Sequence, residues 1–295
     1  MKPIFEGAAT AIITPLTPDG VDYEAFARLI DWQIEKGVAA LVVAGTTGEG
    51  STLNDEEHRA VVSFAVRQTA GRVPVIAGTG SNDTAYAIDL TRYCCNEAGA
   101  DAVLVVSPYY NKATQGGLIK SFAEIADAST KPIILYNVPS RTGCNILPKT
   151  CRELSEHPNI VAIKEASGDI SQIAETARLC EGRLDIYSGN DDQILPVLAL
   201  GGKGVISVLS NVLPAETQAM CDLFFKGDIA ESRRMQLKYL PLINALFSEV
   251  NPIPVKAAMA ALGFGEDFLR LPLTSMEDAH KEVLLCEMRA LGLEV

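Results

Sequence analysis

The sequence predicts an α/β protein, a (β/α)8 or TIM barrel with a C-terminal helical appendage. Eight short segments rich in β-branched and other apolar residues recur along the first two thirds of the chain. A longer segment with helical periodicity follows each of them. Several of the short segments are apolar at consecutive positions, as expected of parallel strands covered on both faces. Such regular alternation of strands and helices is typical of this barrel.

The elements follow one another in a simple order. The predicted strands span residues 8–14, 39–44, 73–77, 102–107, 132–137, 160–164, 184–188 and 204–208. The helical segments between them span residues 23–36, 55–70, 83–98, 117–128, 148–156, 171–181 and 192–200. Four more helical segments follow, at residues 215–226, 229–250, 254–262 and 275–291, separated by glycine and proline breaks. Since the first of these four can close the barrel, we predict a barrel over residues 1–226 and a helical domain over residues 227–295.

A doubly wound open sheet is the alternative fold. That fold usually carries a glycine-rich phosphate loop after its first strand. Here the first strand runs into Thr14-Pro15-Leu16-Thr17-Pro18, which cannot serve as such a loop. The barrel is therefore the favoured prediction.

Composition excludes several classes of partner. The net charge of −12 argues against binding to nucleic acid or to an anionic membrane. No apolar stretch is long enough to span a bilayer, and the N-terminus lacks the apolar core of a signal peptide. The seven cysteines show no CxxC spacing, so we expect reduced thiols and a cytoplasmic protein. His58, His157 and His280 have no ligand-like spacing, and we expect no metal site.

Lys164 is the most informative candidate for chemistry. It ends the apolar run that begins at Ile160, and a lysine is rarely buried unless it is paired or functional. Burial disfavours the ammonium form of a lysine, and the neutral amine is a nucleophile that can form a Schiff base with a carbonyl compound. The alternative interpretation is a lysine that extends from the strand end into solvent.

Other polar side chains follow the neighbouring strands, and the active site of such a barrel lies at the carboxyl ends of its strands. Tyr136 is one strand before Lys164, so its phenol can converge on an imine and transfer protons. Thr46 and Thr47 lie between glycines in a turn that can bind a small carboxylate. Arg141 can hold a second carboxylate. Each also has a structural interpretation: strand-end packing for Tyr136, helix capping for the threonines and a surface ion pair for Arg141.

These motifs resemble those of the 4-hydroxy-tetrahydrodipicolinate (dihydrodipicolinate) synthase family, within the pyruvate-dependent aldolases that include N-acetylneuraminate lyase. The resemblance covers nearly the whole chain and rests on Gly45-Thr46-Thr47-Gly48-Glu49, the segment from Tyr136 to Gly143, and the strand with Lys164. It extends to Asn251-Pro252-Ile253-Pro254-Val255-Lys256 and Leu269-Arg270-Leu271-Pro272. Thr47, Tyr110 and Arg141 resemble the residues that distinguish the synthase branch of this superfamily.

The resemblance implies a role for each catalytic candidate. Lys164 forms the Schiff base with pyruvate, and Tyr136 donates and accepts protons. Thr46 links Tyr136 to Tyr110, which a neighbouring subunit contributes. No metal or organic cofactor is implied, because the lysine imine itself accepts the electrons.

Substrate binding is implied in the same way. Thr47 binds the pyruvate carboxylate, and the backbone of Ile206 helps to hold pyruvate. Arg141 receives the carboxylate of L-aspartate 4-semialdehyde, and Gly189 lies in the same pocket. The implied assembly is a homo-oligomer, a tetramer built as a dimer of dimers.

Many members of this family also bind lysine as an inhibitor in a cleft at the tight-dimer interface. The sequence keeps part of that cleft in His58, Asn82 and Tyr109. It departs at Tyr86, where sensitive relatives carry a glutamate, and at Asp55, which replaces a histidine. We therefore expect a degenerate effector site.

The predicted activity is a Schiff-base lyase that condenses pyruvate with L-aspartate 4-semialdehyde, the first committed step of diaminopimelate and lysine biosynthesis. One alternative is another pyruvate-dependent aldolase, acting on a sialic acid or a keto-deoxy sugar acid. Such relatives usually lack the equivalent of Arg141. A further alternative is a non-catalytic keto-acid sensor, which would be expected to lack Lys164 or Tyr136; both are present.

Overall fold

The computed structural model describes residues 2–295 and contains a closed barrel of eight parallel strands. The strands are β1 (Gly7–Ala11), β2 (Ala40–Val43), β3 (Val75–Gly78), β4 (Ala102–Val106), β5 (Ile133–Asn137), β6 (Ile160–Glu165), β7 (Asp185–Ser188) and β8 (Gly204–Ser207). Each strand pairs with the next one along the chain, and β1 closes the barrel by pairing with both β2 and β8. The predicted fold class is therefore confirmed.

Helices separate the strands and continue beyond the barrel. They are α1 (Tyr23–Glu35), α2 (Asp55–Thr69), α3 (Thr84–Asn96), α4 (Gln115–Ala128), α5 (Pro139–Thr142), α6 (Pro148–Leu154), α7 (Ile170–Cys180), α8 (Ile194–Ala199), α9 (Pro214–Phe225), α10 (Ile229–Leu246), α11 (Ile253–Ala261) and α12 (Asp278–Ala290). None of the helices within residues 2–295 combines the length and the apolar character needed to cross a membrane.

Alternation along the strands sorts side chains between the interior of the barrel and the layer beneath the helices. On β6, Ala162 belongs to the inner cluster, whereas Ile163 packs in the outer core beneath the helices. Lys164 has the same parity as Ala162, so its side chain is directed into the barrel. Tyr136 on β5 also belongs to the inner cluster.

The C-terminal helices share the outer core with the barrel. Leu242 of α10, Val255 of α11 and Leu284 of α12 belong to the same hydrophobic cluster as the outward-facing residues of the strands. Polar contacts cross the same boundary: Lys256 of α11 lies 2.6 Å from Glu49, and both side chains are buried. The appendage is thus packed against the turn that follows β2.

Candidate active site

Lys164 and Tyr136 lie side by side at the carboxyl ends of β6 and β5. The strand register pairs the two residues directly. Lys164 is only 5% exposed, and its Nζ lies 4.4 Å from the centroid of the Tyr136 ring, over the face of the ring. This geometry sets an amine beside a phenol, and the two groups can exchange protons.

Because Gly189 has no side chain, the Lys164 side chain can pack against it. A Cβ added to Gly189 would lie 3.1 Å from Lys164 Cε and 2.7 Å from the Cβ of Ala166. Both distances are shorter than ordinary van der Waals contact. A side chain at the end of β7 would therefore compete with the lysine for the same volume.

A cavity of about 420 Å³ opens beside this pair. Thr46, Tyr136 and Arg141 contribute to its lining, as do His58, Tyr86 and Tyr109. Lys164 is not part of the lining; it contacts the cavity wall through Tyr136. Candidate catalytic residues and candidate effector residues thus border one continuous space.

Thr47 and Arg141 are joined by a residue to which we had assigned no role, Asn251. The Asn251 Nδ2 group donates a hydrogen bond to Thr47 Oγ1 at 3.0 Å. The Nη2 group of Arg141 donates to the Asn251 carbonyl oxygen at 3.1 Å. Asn251 Oδ1 is buried without a hydrogen-bond partner among the described residues. Asn251 therefore belongs to the candidate site, although it lies in the connection between α10 and α11.

Ile206 lies inside the barrel on β8, where it is fully buried in the inner cluster. The turn that follows β8 is held by Asp191, a second residue that sequence reasoning left without a role. Asp191 Oδ2 accepts hydrogen bonds from the backbone N–H groups of Val208 at 3.0 Å and Leu209 at 2.8 Å.

Tyr110 stands apart from the rest of the candidate site within one chain. It is 90% exposed, does not line the cavity and has a positive φ of 75°. Aromatic residues usually adopt a β or right-handed helical backbone conformation with negative φ, so the positive φ of Tyr110 is uncommon. The neighbouring Tyr109 is 38% exposed and does line the cavity.

The candidate effector residues gather around the start of α2 and α3. The Tyr86 hydroxyl donates to Asp55 Oδ1 at 3.0 Å, and Arg59 Nε lies 2.8 Å from Asp55 Oδ2. The hydrogen bond from Arg59 lowers the pKa of Asp55, while burial and Asp55 raise the pKa of Tyr86 to about 12. His58 Nε2 lies 2.8 Å from the Gly78 carbonyl oxygen, and burial lowers its pKa.

Asn82 is the member of this group that contributes through its backbone. Its carbonyl oxygen accepts a hydrogen bond from Asn111 Nδ2 at 2.8 Å. Asn82 is not part of the cavity lining. The bond connects the turn before α3 to the segment that carries Tyr109 and Tyr110.

Comparison with known proteins identifies the family. The model of the dihydrodipicolinate synthetase family matches residues 4–290. A 4-hydroxy-tetrahydrodipicolinate synthase of Lachnoclostridium phytofermentans is 56% identical over 292 residues, covering 98% of this chain and 99% of the relative. The enzyme of the same name from Clostridium perfringens strain 13 is 53% identical over 290 residues, with coverage of 98% and 99%.

A solved structure agrees with these relatives. It is described as the first monomeric dihydrodipicolinate synthase variant, and it superposes with a TM-score of 0.96 at 42% identity, covering 98% of each chain. The family resemblance inferred from the sequence motifs is thereby confirmed over the full length. The chain belongs to the dihydrodipicolinate synthetase family.

Proposed function

We propose that this enzyme condenses pyruvate with L-aspartate 4-semialdehyde to give 4-hydroxy-tetrahydrodipicolinate, through an imine on Lys164. Family membership gives the reaction class. The observation that carries the assignment within the site is the buried Lys164 amine, 4.4 Å from the centroid of the Tyr136 ring. The same step would commit carbon to diaminopimelate and lysine.

The proposed reaction begins when the Lys164 amine attacks the keto carbon of pyruvate. Tyr136 protonates the carbinolamine oxygen, water leaves and an imine forms. Loss of a proton from the pyruvate methyl group gives an enamine, whose carbon attacks the aldehyde. The amino group of the bound chain then attacks the imine carbon, closes the ring and releases Lys164 as the free amine.

The substrate carboxylates have separate proposed partners. Thr47 and the backbone of Ile206 hold pyruvate, and Arg141 holds the carboxylate of the aldehyde. Gly189 leaves room for the lysine stem beneath them. In support, Asn251 bonds to both Thr47 and Arg141, which fixes the two binding groups relative to each other.

Reductive trapping tests this proposal. Incubation with pyruvate and borohydride should give one adduct per chain by intact mass, and peptide mapping should locate it on Lys164. Lys164→Ala should remain folded and lose nearly all activity. Tyr136→Phe should lose roughly 10²–10⁴-fold in rate, the usual scale for a lost proton-transfer group. An adduct on another lysine, or none, contradicts the mechanism.

The choice of aldehyde separates the proposed function from its rival. The rival is a lyase of a sialic acid or keto-deoxy sugar acid. Product formation from pyruvate with L-aspartate 4-semialdehyde, but not with N-acetylmannosamine or glyceraldehyde, supports the synthase. The reverse preference would reassign the substrate while leaving the Lys164 chemistry intact.

We also propose a homotetramer, a dimer of dimers, in which Tyr110 of one chain completes the site of its neighbour. The 90% exposure of this aromatic side chain in a single chain supports the idea, and so does the description of a monomeric relative as a variant. An isologous contact would exchange Tyr110 reciprocally. Analytical ultracentrifugation tests it: a fully active monomer would refute the shared site.

Two further assignments remain proposals. His58, Asn82, Tyr86, Tyr109 and Asp55 form a degenerate effector site with weak affinity for lysine. The proposed compartment is the cytosol, which keeps thiols reduced, and the seven cysteines of this chain are free thiols.

A further inference from the structure

Two buried polar side chains that the reaction scheme leaves unused lie directly after the candidate catalytic residues. Asn137 follows Tyr136 on β5, and Glu165 follows Lys164 on β6. The strand register that pairs Tyr136 with Lys164 also pairs Asn137 with Glu165. Successive side chains of a strand point to opposite faces, and Glu165 has the parity of Ile163, which packs in the outer core. Asn137 and Glu165, here called the strand-end pair, therefore lie on the outer face of the barrel wall.

Side-chain hydrogen bonds join the two members of the strand-end pair. Asn137 is fully buried, and Glu165 is 1% exposed. Asn137 Nδ2 donates to both carboxylate oxygens of Glu165, at 3.2 Å each. The backbone N–H of Ser167 donates to Glu165 Oε1 at 2.8 Å. Burial raises the pKa of Glu165, whereas the hydrogen bonds from Ser167 and Asn137 lower it, so these donors replace water that the buried carboxyl group has lost.

The strand-end pair also holds the segment that follows β5. Asn137 Oδ1 accepts from the backbone N–H of Ile146 at 2.9 Å, and its Nδ2 donates to Asn145 Oδ1 at 2.9 Å. Asn145 exchanges two further hydrogen bonds with Gln172 of α7, at 2.8 and 3.1 Å. The connection between α5 and α6 is therefore bonded to β5, and this connection follows the short helix that carries Arg141.

Backbone hydrogen bonds extend these contacts across the barrel wall. The Ala166 N–H donates to the Asn137 carbonyl oxygen at 2.9 Å, and the Gly189 N–H donates to the Glu165 carbonyl oxygen at 2.7 Å. Displacement of either member of the strand-end pair would therefore shift the ends of β5 and β6 relative to each other and to β7. The two candidate catalytic residues immediately precede these ends.

We propose that Asn137 and Glu165 are positioning residues of the imine site: their side-chain hydrogen bonds hold the carboxyl ends of β5 and β6 together and so fix the Lys164 amine beside the Tyr136 phenol. The inference rests on the proposed function, because it requires an imine at Lys164. The pair acts through the strand ends and not by contact with substrate, since both side chains lie on the outer face. A misplacement of the reacting groups by about 1 Å costs on the order of 10²-fold in rate.

Asn137→Leu tests these hydrogen bonds at nearly constant side-chain size, because leucine offers neither a donor nor an acceptor. We expect the limiting rate of borohydride trapping at saturating pyruvate to fall on the order of 10²-fold. The pyruvate concentration that gives half of this rate should change by less than about threefold, because ground-state binding is retained. Its proposed ligands, Thr47 and Ile206, lie after β2 and on β8, away from the strand-end pair.

Exchange of donor and acceptor provides a rescue. In the double variant Asn137→Asp with Glu165→Gln, the glutamine amide can donate to the new carboxylate, which restores the bond with opposite polarity. The side-chain amides of Asn145 and Gln172 can rotate to match it. We expect this double variant to recover most of the limiting rate that Asn137→Leu loses.

A second variant covers the case in which Asn137→Leu does not fold because the Glu165 carboxylate has lost its donor. Asn137→Leu with Glu165→Met replaces both partners by apolar groups of similar size, a change that can be nearly neutral for stability. The same fall in limiting rate at a nearly constant half-saturating concentration is expected. A wild-type rate in this variant overturns the inference, because packing alone would then hold the strand ends.

A matched control lies at the opposite end of the same two strands. Asn159 precedes β6, and its Nδ2 donates to the carbonyl oxygens of Ala126 and Ser129 at 3.0 Å each. Its own carbonyl oxygen accepts from the N–H of Ile133, the first residue of β5, at 2.7 Å. Asn159→Leu should lower the thermal unfolding midpoint and keep the wild-type limiting rate, because the amino ends of the strands lie away from the candidate site.

The outcomes separate this inference from the proposed function. No adduct on Lys164 in the wild-type chain overturns the proposed function and the inference with it. A normal wild-type adduct together with an unchanged limiting rate in Asn137→Leu overturns the inference alone. So does an equal loss of rate in Asn159→Leu, or a double variant with exchanged donor and acceptor that stays as slow as Asn137→Leu, because either pattern indicates a general loss of structure.

Discussion

At the scale of single residues, the position of the Lys164 side chain depends on Gly189, a neighbour without a side chain. Gly189→Ala would set a methyl group 3.1 Å from Lys164 Cε and 2.7 Å from the Cβ of Ala166. The Ala166 Cβ and the Glu165 carbonyl oxygen, which is also 3.1 Å away, move only with the backbone, so we expect the flexible lysine to be displaced. A misplacement of about 1 Å costs on the order of 10²-fold in rate. The rate of adduct formation with pyruvate and borohydride, followed by intact mass, measures this loss.

Gly116 supplies the matched control for that substitution. It lies on α4, and an added Cβ there meets no atom within 4 Å. Gly116→Ala should therefore keep the wild-type trapping rate. An equally fast reaction in Gly189→Ala would mean that the lysine stem has another path to the substrate.

The proximity of two candidate residues could be predicted where the pattern is local in sequence. Lys164 ends an apolar strand, and Tyr136 ends the strand before it, so strand order alone brought them together. Asn251 and Asp191 escaped notice because their partners are distant: Asn251 meets Thr47 across 204 positions, and Asp191 meets Val208 across 17. An asparagine before a proline is typical of a turn, and only the tertiary structure shows that Asn251 bonds to Thr47.

At the scale of elements, the bounds of the eight strands were predicted within a few residues. Continuous apolar runs are a clear pattern for strands that are buried on both faces. The antiparallel pair Leu16–Thr17 and Gly20–Val21 was missed, and so was α5. The two strands and the helix are all too short for their sequences to show the hydrophobic periodicity of a strand or a helix. The predicted first strand extended to residue 14, but β1 ends at Ala11.

The proposed weak response to lysine depends on side chains of two neighbouring helices. In the cleft beside α2 and α3, Asp55 already accepts hydrogen bonds from Arg59 and the Tyr86 hydroxyl. An incoming ammonium would have to share a carboxylate whose charge Arg59 already offsets, so its gain is small. We expect weak inhibition or none at physiological lysine. A titration of initial rate against lysine measures this.

A carboxylate introduced at position 86 tests the same explanation in the opposite direction, as a gain of inhibition by lysine. Tyr86→Glu removes the phenol that bonds to Asp55 and adds an acid at the cavity wall. If the missing charge explains the insensitivity, this variant should be inhibited at lower lysine concentrations than the wild type. Half-inhibition of the wild-type enzyme below the millimolar range would show that Tyr86 does not abolish the site.

At the scale of the whole molecule, a buried ion pair joins the appendage to the turn that carries Thr46 and Thr47. Lys256 Nζ lies 2.6 Å from Glu49 Oε1, and the backbone N–H of Arg270 donates to Glu49 Oε2 at 3.2 Å. The Arg270 side chain binds both carboxylate oxygens of Glu57 at the start of α2. Glu49 belongs to the same turn as Thr46 and Thr47, so the appendage supports the site itself.

Removing one partner of this pair should therefore affect stability and activity together. Lys256→Met leaves the Glu49 carboxylate buried without its cation, which typically costs about 3–5 kcal/mol. We expect a marked fall in the thermal unfolding midpoint and a loss of trapping, because the turn with Thr46 and Thr47 loses its anchor. Differential scanning calorimetry and borohydride trapping measure the two effects.

The double variant Glu49→Gln with Lys256→Met distinguishes an unpaired charge from lost packing. Once the carboxylate is neutral, its desolvation no longer opposes folding, so the double variant should regain much of the stability that Lys256→Met loses. Recovery of stability would show that the charge, rather than the methylene stem, dominates. A Lys256→Met protein whose barrel unfolds at the wild-type midpoint, while residues 227–295 unfold separately, would show that the appendage is an independent domain and contradict this coupling.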